Sequence, residues 1–169
     1  VMGGEISVAS QPGEGTCFSF NILADRGQVN GFSPGTGKIS DQLKGHRILV
    51  IDDNDTNRRI LKAQLEHWQM HVILASSGSE ALSHLKEDSS FCMVITDMQM
   101  PEMDGVEVAK HVKQINSNLP VILLSSIGDE SKKNHSHLFS SVLNKPVRQQ
   151  VLFDVIADNL SQKQTLTAT

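Results

Sequence analysis

Asp52 and Asp53 directly follow the apolar run RILVI (47–51), and Asp97 follows FCMVIT (91–96). Ser125 and Ser126 close VILLS (121–125), and Asn144-Lys145-Pro146 close SSVLN (140–144). Three carboxylates, a hydroxyl and an ammonium thus stand at the ends of four apolar runs. If the runs are neighbouring strands, these groups meet. Two carboxylates about 5 Å apart repel by roughly 3 kcal/mol at an effective dielectric of 20, so a proton or a cation must offset them. Hard carboxylate oxygens suit Mg²⁺, which keeps several waters and takes one or two carboxylates plus phosphate oxygens. No Cys/His cluster with zinc-ligand spacing accompanies them. A carboxylate held beside such a cation can attack phosphorus and form an acyl phosphate. Lys145 and the Ser125 hydroxyl would then bind the phosphoryl oxygens.

The elements that must position these groups are legible as a repeating pattern. RILVI reads as a buried strand, and residues 55–69 as a helix with Leu61, Leu65 and Trp68 on one face. HVILA (71–75) is the next strand, and Ser77 with Glu80 predicts a capping box opening a helix through Lys86. After the strand FCMVIT, Asp104 and Glu107 cap a helix with a stripe of Val108, Val112 and Ile115. VILLS is a fourth strand and SSVLN a fifth. A last helix runs from Val147 to Leu160, with Val151, Leu152, Val155 and Ile156 as its buried face. Continuously apolar strands alternating with helices predict a parallel sheet covered on both sides. Right-handed crossovers restrict the topology, and ligands of such sheets sit beyond the carboxyl ends of the strands. The fourth connection is the exception. GDESKKNHSH (128–137) carries no apolar stripe, so a short or mobile helix is expected there.

The N-terminal part has a different texture. EISVAS and TCFSFNIL alternate in polarity around Gln11-Pro12-Gly13-Glu14-Gly15, which predicts a β-hairpin. Residues 25–44 contain four glycines and a proline with no periodicity, which reads as a flexible linker. The expected organisation is therefore a hairpin segment at 1–24, a linker at 25–44, an α/β domain at 45–162 and a disordered tail at 163–169. Net charge is −4 over 169 residues, which gives no electrostatic support for nucleic-acid binding. No apolar run approaches the roughly 20 residues needed to span a bilayer, so no membrane contact by this fragment is expected. Two cysteines, Cys17 and Cys92, suggest a reducing compartment, hence the cytoplasm, whether or not a parent protein is membrane-anchored. Trp68 and Cys92 read as core residues. His135 and His137 read as part of a solvated stretch rather than as a metal site.

ILVIDDNDTNRRI, MVITDMQMPEMDG and VLNKP together resemble the receiver domain of two-component response regulators, over roughly residues 45–160. The resemblance implies a doubly wound five-stranded parallel sheet, (βα)5, in the flavodoxin-like order 2-1-3-4-5. It implies that Asp97 is the phosphoacceptor and also a Mg²⁺ ligand, with Asp53 a direct ligand and Asp52 a ligand through water. The backbone carbonyl of Gln99 would be a further ligand. Ser125 would bind the phosphoryl group and move inward, Lys145 would pair with it, and the bond before Pro146 would be cis. One departure weakens a family feature: an aromatic switch residue is usual three positions before the lysine, and Val142 stands there, with Phe139 the nearest aromatic.

MGGEISVASQPGEGTCFSFNI resembles the last two strands of a histidine-kinase ATP-binding domain. The order of kinase hairpin, linker and receiver implies a fragment of a hybrid sensor kinase. The parent is then a histidine protein kinase, a transferase. The helices that bind Mg-ATP and carry the phosphorylatable histidine do not precede this hairpin here, so the fragment itself is not expected to act as an ATP-dependent kinase. The implied partners are a phosphohistidine of the parent kinase and a histidine phosphotransfer protein. Two other readings compete. A haloacid-dehalogenase-like phosphatase also uses a strand-end Asp, Mg²⁺, a Ser/Thr and a Lys, but needs a second Asp where Gln99 stands, and glutamine cannot donate that proton. A non-phosphorylated interaction module would be favoured by the absence of an acidic residue or of Lys145, and all are present.

Overall fold

The computed structural model describes residues 3–13, 15–23, 43–126 and 135–166. The chain divides into two compact units, Val1–Pro34 and Gly35–Thr169. The first contains an antiparallel hairpin, β1 (Ile6–Gln11) and β2 (Gly15–Phe20). Its register pairs Ile6 with Phe20 and Val8 with Phe18, which gathers four apolar side chains on one face. Gly13 and Gly15 take φ of 85° and 102°, the left-handed conformation that glycine adopts without a Cβ clash.

The second unit is the α/β domain. Its strands are β3 (Arg47–Ile51), β4 (His71–Ala75), β5 (Met93–Asp97), β6 (Val121–Ser125) and β7 (Ser141–Asn144). They form one sheet in the order β4-β3-β5-β6-β7, with every adjacent pair parallel. The expected order is therefore realised, and the switch in strand order lies between β3 and β5. Helices α1 (Asp55–His67), α2 (Gly78–Glu87), α3 (Gly105–Ile115) and α4 (Gln149–Leu166) connect or follow the strands.

Alternation within each strand builds two cores. Leu49, Ile51, Val94, Val121 and Leu123 pack with residues of α2 and α3. Ile48, Val50, Met93, Ile95, Ile122 and Leu124 pack with residues of α1 and α4. This two-sided burial is why the strands read as unbroken apolar runs. Trp68 is 6% exposed and meets Phe153 edge-to-face at 5.0 Å, a core role as expected. Leu43, assigned from sequence to the linker, is fully buried in the same core.

Several boundaries differ from expectation. The third strand starts at Met93 and includes Asp97, which pairs with Leu124 across β6. The first helix ends at His67, because Gln69 takes a left-handed φ of 60° and turns the chain. In the last helix Leu152, Ile156 and Leu160 are buried while Val151 is 43% exposed. One residue turns a helix by 100°, and Val151 stands that far round from the Leu152 stripe. Val155 is partly buried at its edge. Ile115 likewise is exposed at the end of α3, and Leu119 fills the core beyond it. Residues 163–166, expected to be disordered, continue α4, since no Gly or Pro interrupts them. Residues 167–169, residues 24–42 with most of the expected linker, and residues 127–134 with most of the polar stretch 128–137, where a short or mobile helix is expected, lie outside the described residues. Past that stretch the chain makes a 3₁₀ turn, Ser136–Leu138.

The capping of α2 is also shifted. Ser77 accepts from Glu80 N at 3.2 Å as predicted, but the Glu80 carboxylate reaches Ser76 instead of Ser77. Ser76 offers both its N–H and its hydroxyl to one oxygen, each at 2.7 Å. These bonds hold the Glu80 carboxyl below its ordinary pKa. The Asp104–Glu107 box on α3 is reciprocal, as expected.

Candidate functional site

The carboxyl ends of β3, β5 and β6 and the start of the β7–α4 connection carry the predicted residues. Asp52 ends the β3 run and is 1% exposed, while Asp53 beside it faces solvent. Asp97 closes β5 at 7% exposure, and Ser125 closes β6 fully buried. Asp52, Asp53 and Asp97 each offer an oxygen, and these three oxygens lie within 4.8 Å of one another. Register explains the convergence. β3 and β5 are neighbours with Ile51 opposite Thr96, so the residues that follow them emerge side by side.

Lys145 enters from beyond β7. Its Nζ lies 2.8 Å from Asp97 Oδ1 and 3.4 Å from Asp52 Oδ2. Burial alone would lower the lysine pKa. The Asp97 hydrogen bond and the charges of Asp97 and Asp52 outweigh it and hold the ammonium above its ordinary value. The Lys145-Pro146 bond is cis, and Lys145 N donates to Ser125 O at 2.8 Å, which ties the lysine loop to β6. Ser125 Oγ contacts Ser126 O at 3.2 Å. Met98 N donates to Asp97 Oδ1 at 2.7 Å, fixing that carboxylate against its own backbone.

Gly105, the first residue of α3, approaches Asp97 closely. A Cβ there would lie 2.5 Å from Asp97 O and 2.7 Å from Leu123 Cδ1. Only glycine lets α3 begin against the end of β5. Gln99 is exposed in the loop between them. Val142 is partly buried against the α2/α3 core, and Phe139 is buried within it. His135 and His137 have ring centroids 6.5 Å apart and form no metal-holding group with other described residues.

Two residues at the site were missed from sequence. Asn57 Nδ2 lies 3.3 and 3.1 Å from the two carboxylate oxygens of Asp52. Arg58 donates to Asp52 O at 2.6 Å and to Asp55 Oδ1 at 3.1 Å. Their signal was available. Both follow the Asp pair within the first turn of α1, which starts immediately beyond β3.

The donor set fits a hard divalent cation. Three carboxylates against one ammonium leave an excess of negative charge, and every cluster ligand offers oxygen.

A doubly wound parallel sheet with an acidic cluster and a lysine at its carboxyl edge defines a class of protein. Residues 48–157 match the response regulator receiver domain family, and the chain belongs to it. It is similar to the autoinducer 2 sensor kinase/phosphatase LuxQ of Vibrio vulnificus, at 32% identity over 156 residues. That match covers 89% of this chain and 18% of LuxQ. It is also similar to the sensor protein EvgS of Escherichia coli, at 32% identity over 95% of this chain and 13% of EvgS. Among solved structures, a response regulator receiver domain protein from Clostridium thermocellum superposes with a TM-score of 0.68 and 34% identity. It covers 72% of this chain and 98% of that one. The chain therefore spans less than a fifth of the two sensor proteins. So few residues follow 157 that both alignments must extend N-terminally past residue 48, outside the receiver match. Among the described residues no helix is long and apolar enough to cross a membrane.

Proposed function

We propose that this chain is the receiver of a hybrid histidine kinase and that Asp97 accepts a phosphoryl group in a Mg²⁺-dependent reaction. The observation that carries the reading is the convergence of Asp52, Asp53, Asp97 and Lys145 at one sheet edge. Asp97 carboxylate oxygen forms a bond to phosphorus as the phosphorus–nitrogen bond of a phosphohistidine breaks. The imidazole leaves with the electron pair of that bond and takes a proton from solvent. Asp97 becomes an acyl phosphate. Lys145, already at 2.8 Å from Asp97 Oδ1, transfers its contact to the phosphoryl oxygens. The Ser125 hydroxyl donates to another of them. Asp52, Asp53 and the Gln99 carbonyl would hold Mg²⁺, whose charge offsets repulsion between the carboxylates and the phosphoryl oxygens. The phosphoryl group then passes to a histidine phosphotransfer protein or to water.

The parent assignment rests on the N-terminal segment. Its hairpin and the extension of the sensor-protein alignments into that region support a hairpin left from a kinase ATP-binding domain, joined by a linker to the receiver. The test is incubation of the full chain with acetyl phosphate and Mg²⁺, read by intact mass. A phosphate-sized adduct should form and should vanish in Asp97→Ala. An unmodified parent chain under saturating donor refutes the reading.

A further inference from the structure

Asp52 is a carboxylate almost without solvent contact, so its orientation depends on the protein donors around it. Asn54 N donates to its Oδ1 at 2.8 Å. Lys145 is a longer contact at 3.4 Å and is shared with Asp97. The Asn57 carboxamide lies across both oxygens, at 3.3 and 3.1 Å. Rotation about the bond to a carboxylate is otherwise soft, and a donor that spans both oxygens restrains it. The carboxamide is also neutral. It satisfies the buried carboxylate without cancelling the negative charge that would attract a cation.

Helix capping does not explain this side chain. The cap of α1 is the Asn54 side chain, which accepts from Asn57 N at 3.2 Å, and that backbone bond survives any change of the Asn57 side chain. Arg58 occupies the Asp52 main-chain oxygen at 2.6 Å, so the main chain and the carboxylate of Asp52 are gripped by consecutive residues.

We infer that Asn57 is a positioning residue that holds the Asp52 carboxylate preoriented for a divalent cation. The inference rests on the proposed Mg²⁺-dependent reading. Partners that orient a metal-binding group typically contribute 10–100-fold in affinity. Asn57→Leu keeps the branched heavy-atom skeleton and removes the donor, and the smaller Asn57→Ala serves as the second variant. Titration calorimetry of Mg²⁺ alone into the full chain should show affinity weakened by about tenfold or more in both. The acetyl phosphate reaction of each variant should be slow at low Mg²⁺ and should return to within about twofold of the parent rate at saturating Mg²⁺. Mg²⁺ affinity within about twofold of the parent overturns the inference alone, and so does a rate that saturating Mg²⁺ fails to restore. Unfolding of both variants that Mg²⁺ does not reverse makes Asn57 a purely structural residue and also overturns it. A parent chain that binds no Mg²⁺ overturns the underlying reading and the inference together.

Discussion

Replacement of Lys145 by Met should move the stability of the metal-free protein and its affinity for Mg²⁺ in opposite directions. Among the described residues the ammonium is the one cation in contact with the Asp52 and Asp97 carboxylates, at 3.4 and 2.8 Å. In a water-like dielectric these contacts are worth about 1.2 and about 1.5 kcal/mol, and about four times as much at an effective dielectric of 20. The lysine side chain keeps 28% of its exposure, which places the pair nearer the screened limit. Removing one partner of a fully buried pair costs about 3–5 kcal/mol, so about 2–3 kcal/mol is expected here. For a domain of this size that lowers the melting temperature in EDTA by about 8–12 °C. The Mg²⁺ effect has the other sign. The ammonium's positive charge opposes a divalent ion held by the same carboxylates, so removing it should tighten Mg²⁺ by about tenfold after screening. Mg²⁺ at a hundred times its Kd then contributes about 2.7 kcal/mol and recovers most of the lost stability. Thermal melts with and without Mg²⁺, together with titration calorimetry, test both halves. Equal or weaker Mg²⁺ binding by Lys145→Met, or an unchanged melt in EDTA, would refute the reasoning that lysine and cation compete for the same oxygens.

Three further substitutions and one pH series probe the supports of the site. Gly105→Ala must push its Cβ against the main-chain oxygen of Asp97, so urea unfolding should show a loss of about 1–3 kcal/mol and the acyl phosphate should form more slowly. Asp104→Ala removes the side chain that accepts from Glu107 N at 2.8 Å, and should cost about 1 kcal/mol in the same assay. Gln69→Gly relieves the φ of 60° after α1 and should raise stability by about 0.5 kcal/mol net of the added chain entropy; a loss would show that the Gln69 side chain contributes elsewhere. The pKa of Lys145 is raised on folding, so its stabilisation is fully present below the unfolded lysine value of about 10.4 and is lost as pH rises through the higher folded value. The stability gap between parent and Lys145→Met should therefore narrow across that alkaline window, and a constant gap would contradict the ion-pair assignment.

Much of this arrangement could be read before any fold was known. The five strands and their parallel pairing followed from unbroken apolar runs, because residues buried on both faces need no polar alternation, while the order of the strands came from the family resemblance. The Asp104 cap was equally legible, since it depends on residues three apart. Errors gathered where a position depends on its neighbours in space. Val151 and Ile115 are apolar and helical, yet each falls outside the packed stripe. Leu43 looked like linker because nothing local says that the core reaches back to it. Glu80 turned to Ser76 because two donors there compete with the single one at Ser77.

By itself the sequence determined which groups could do chemistry. Asp52, Asp53, Asp97, Ser125 and Lys145 are marked by their place at the ends of apolar runs, and alternation of strand and helix is enough to bring such ends to one edge. Only the tertiary structure decided how that edge is held. The grip of Asn57 and Arg58 on Asp52, the lysine shared by two carboxylates and the close approach of Gly105 to Asp97 are distances of a few ångströms. Such distances depend on where β3, β5, β6 and the β7–α4 connection come to rest against each other. Apolar patterning places a strand in a sheet, but hydrogen bonds and ion pairs act over atomic separations that only packing sets.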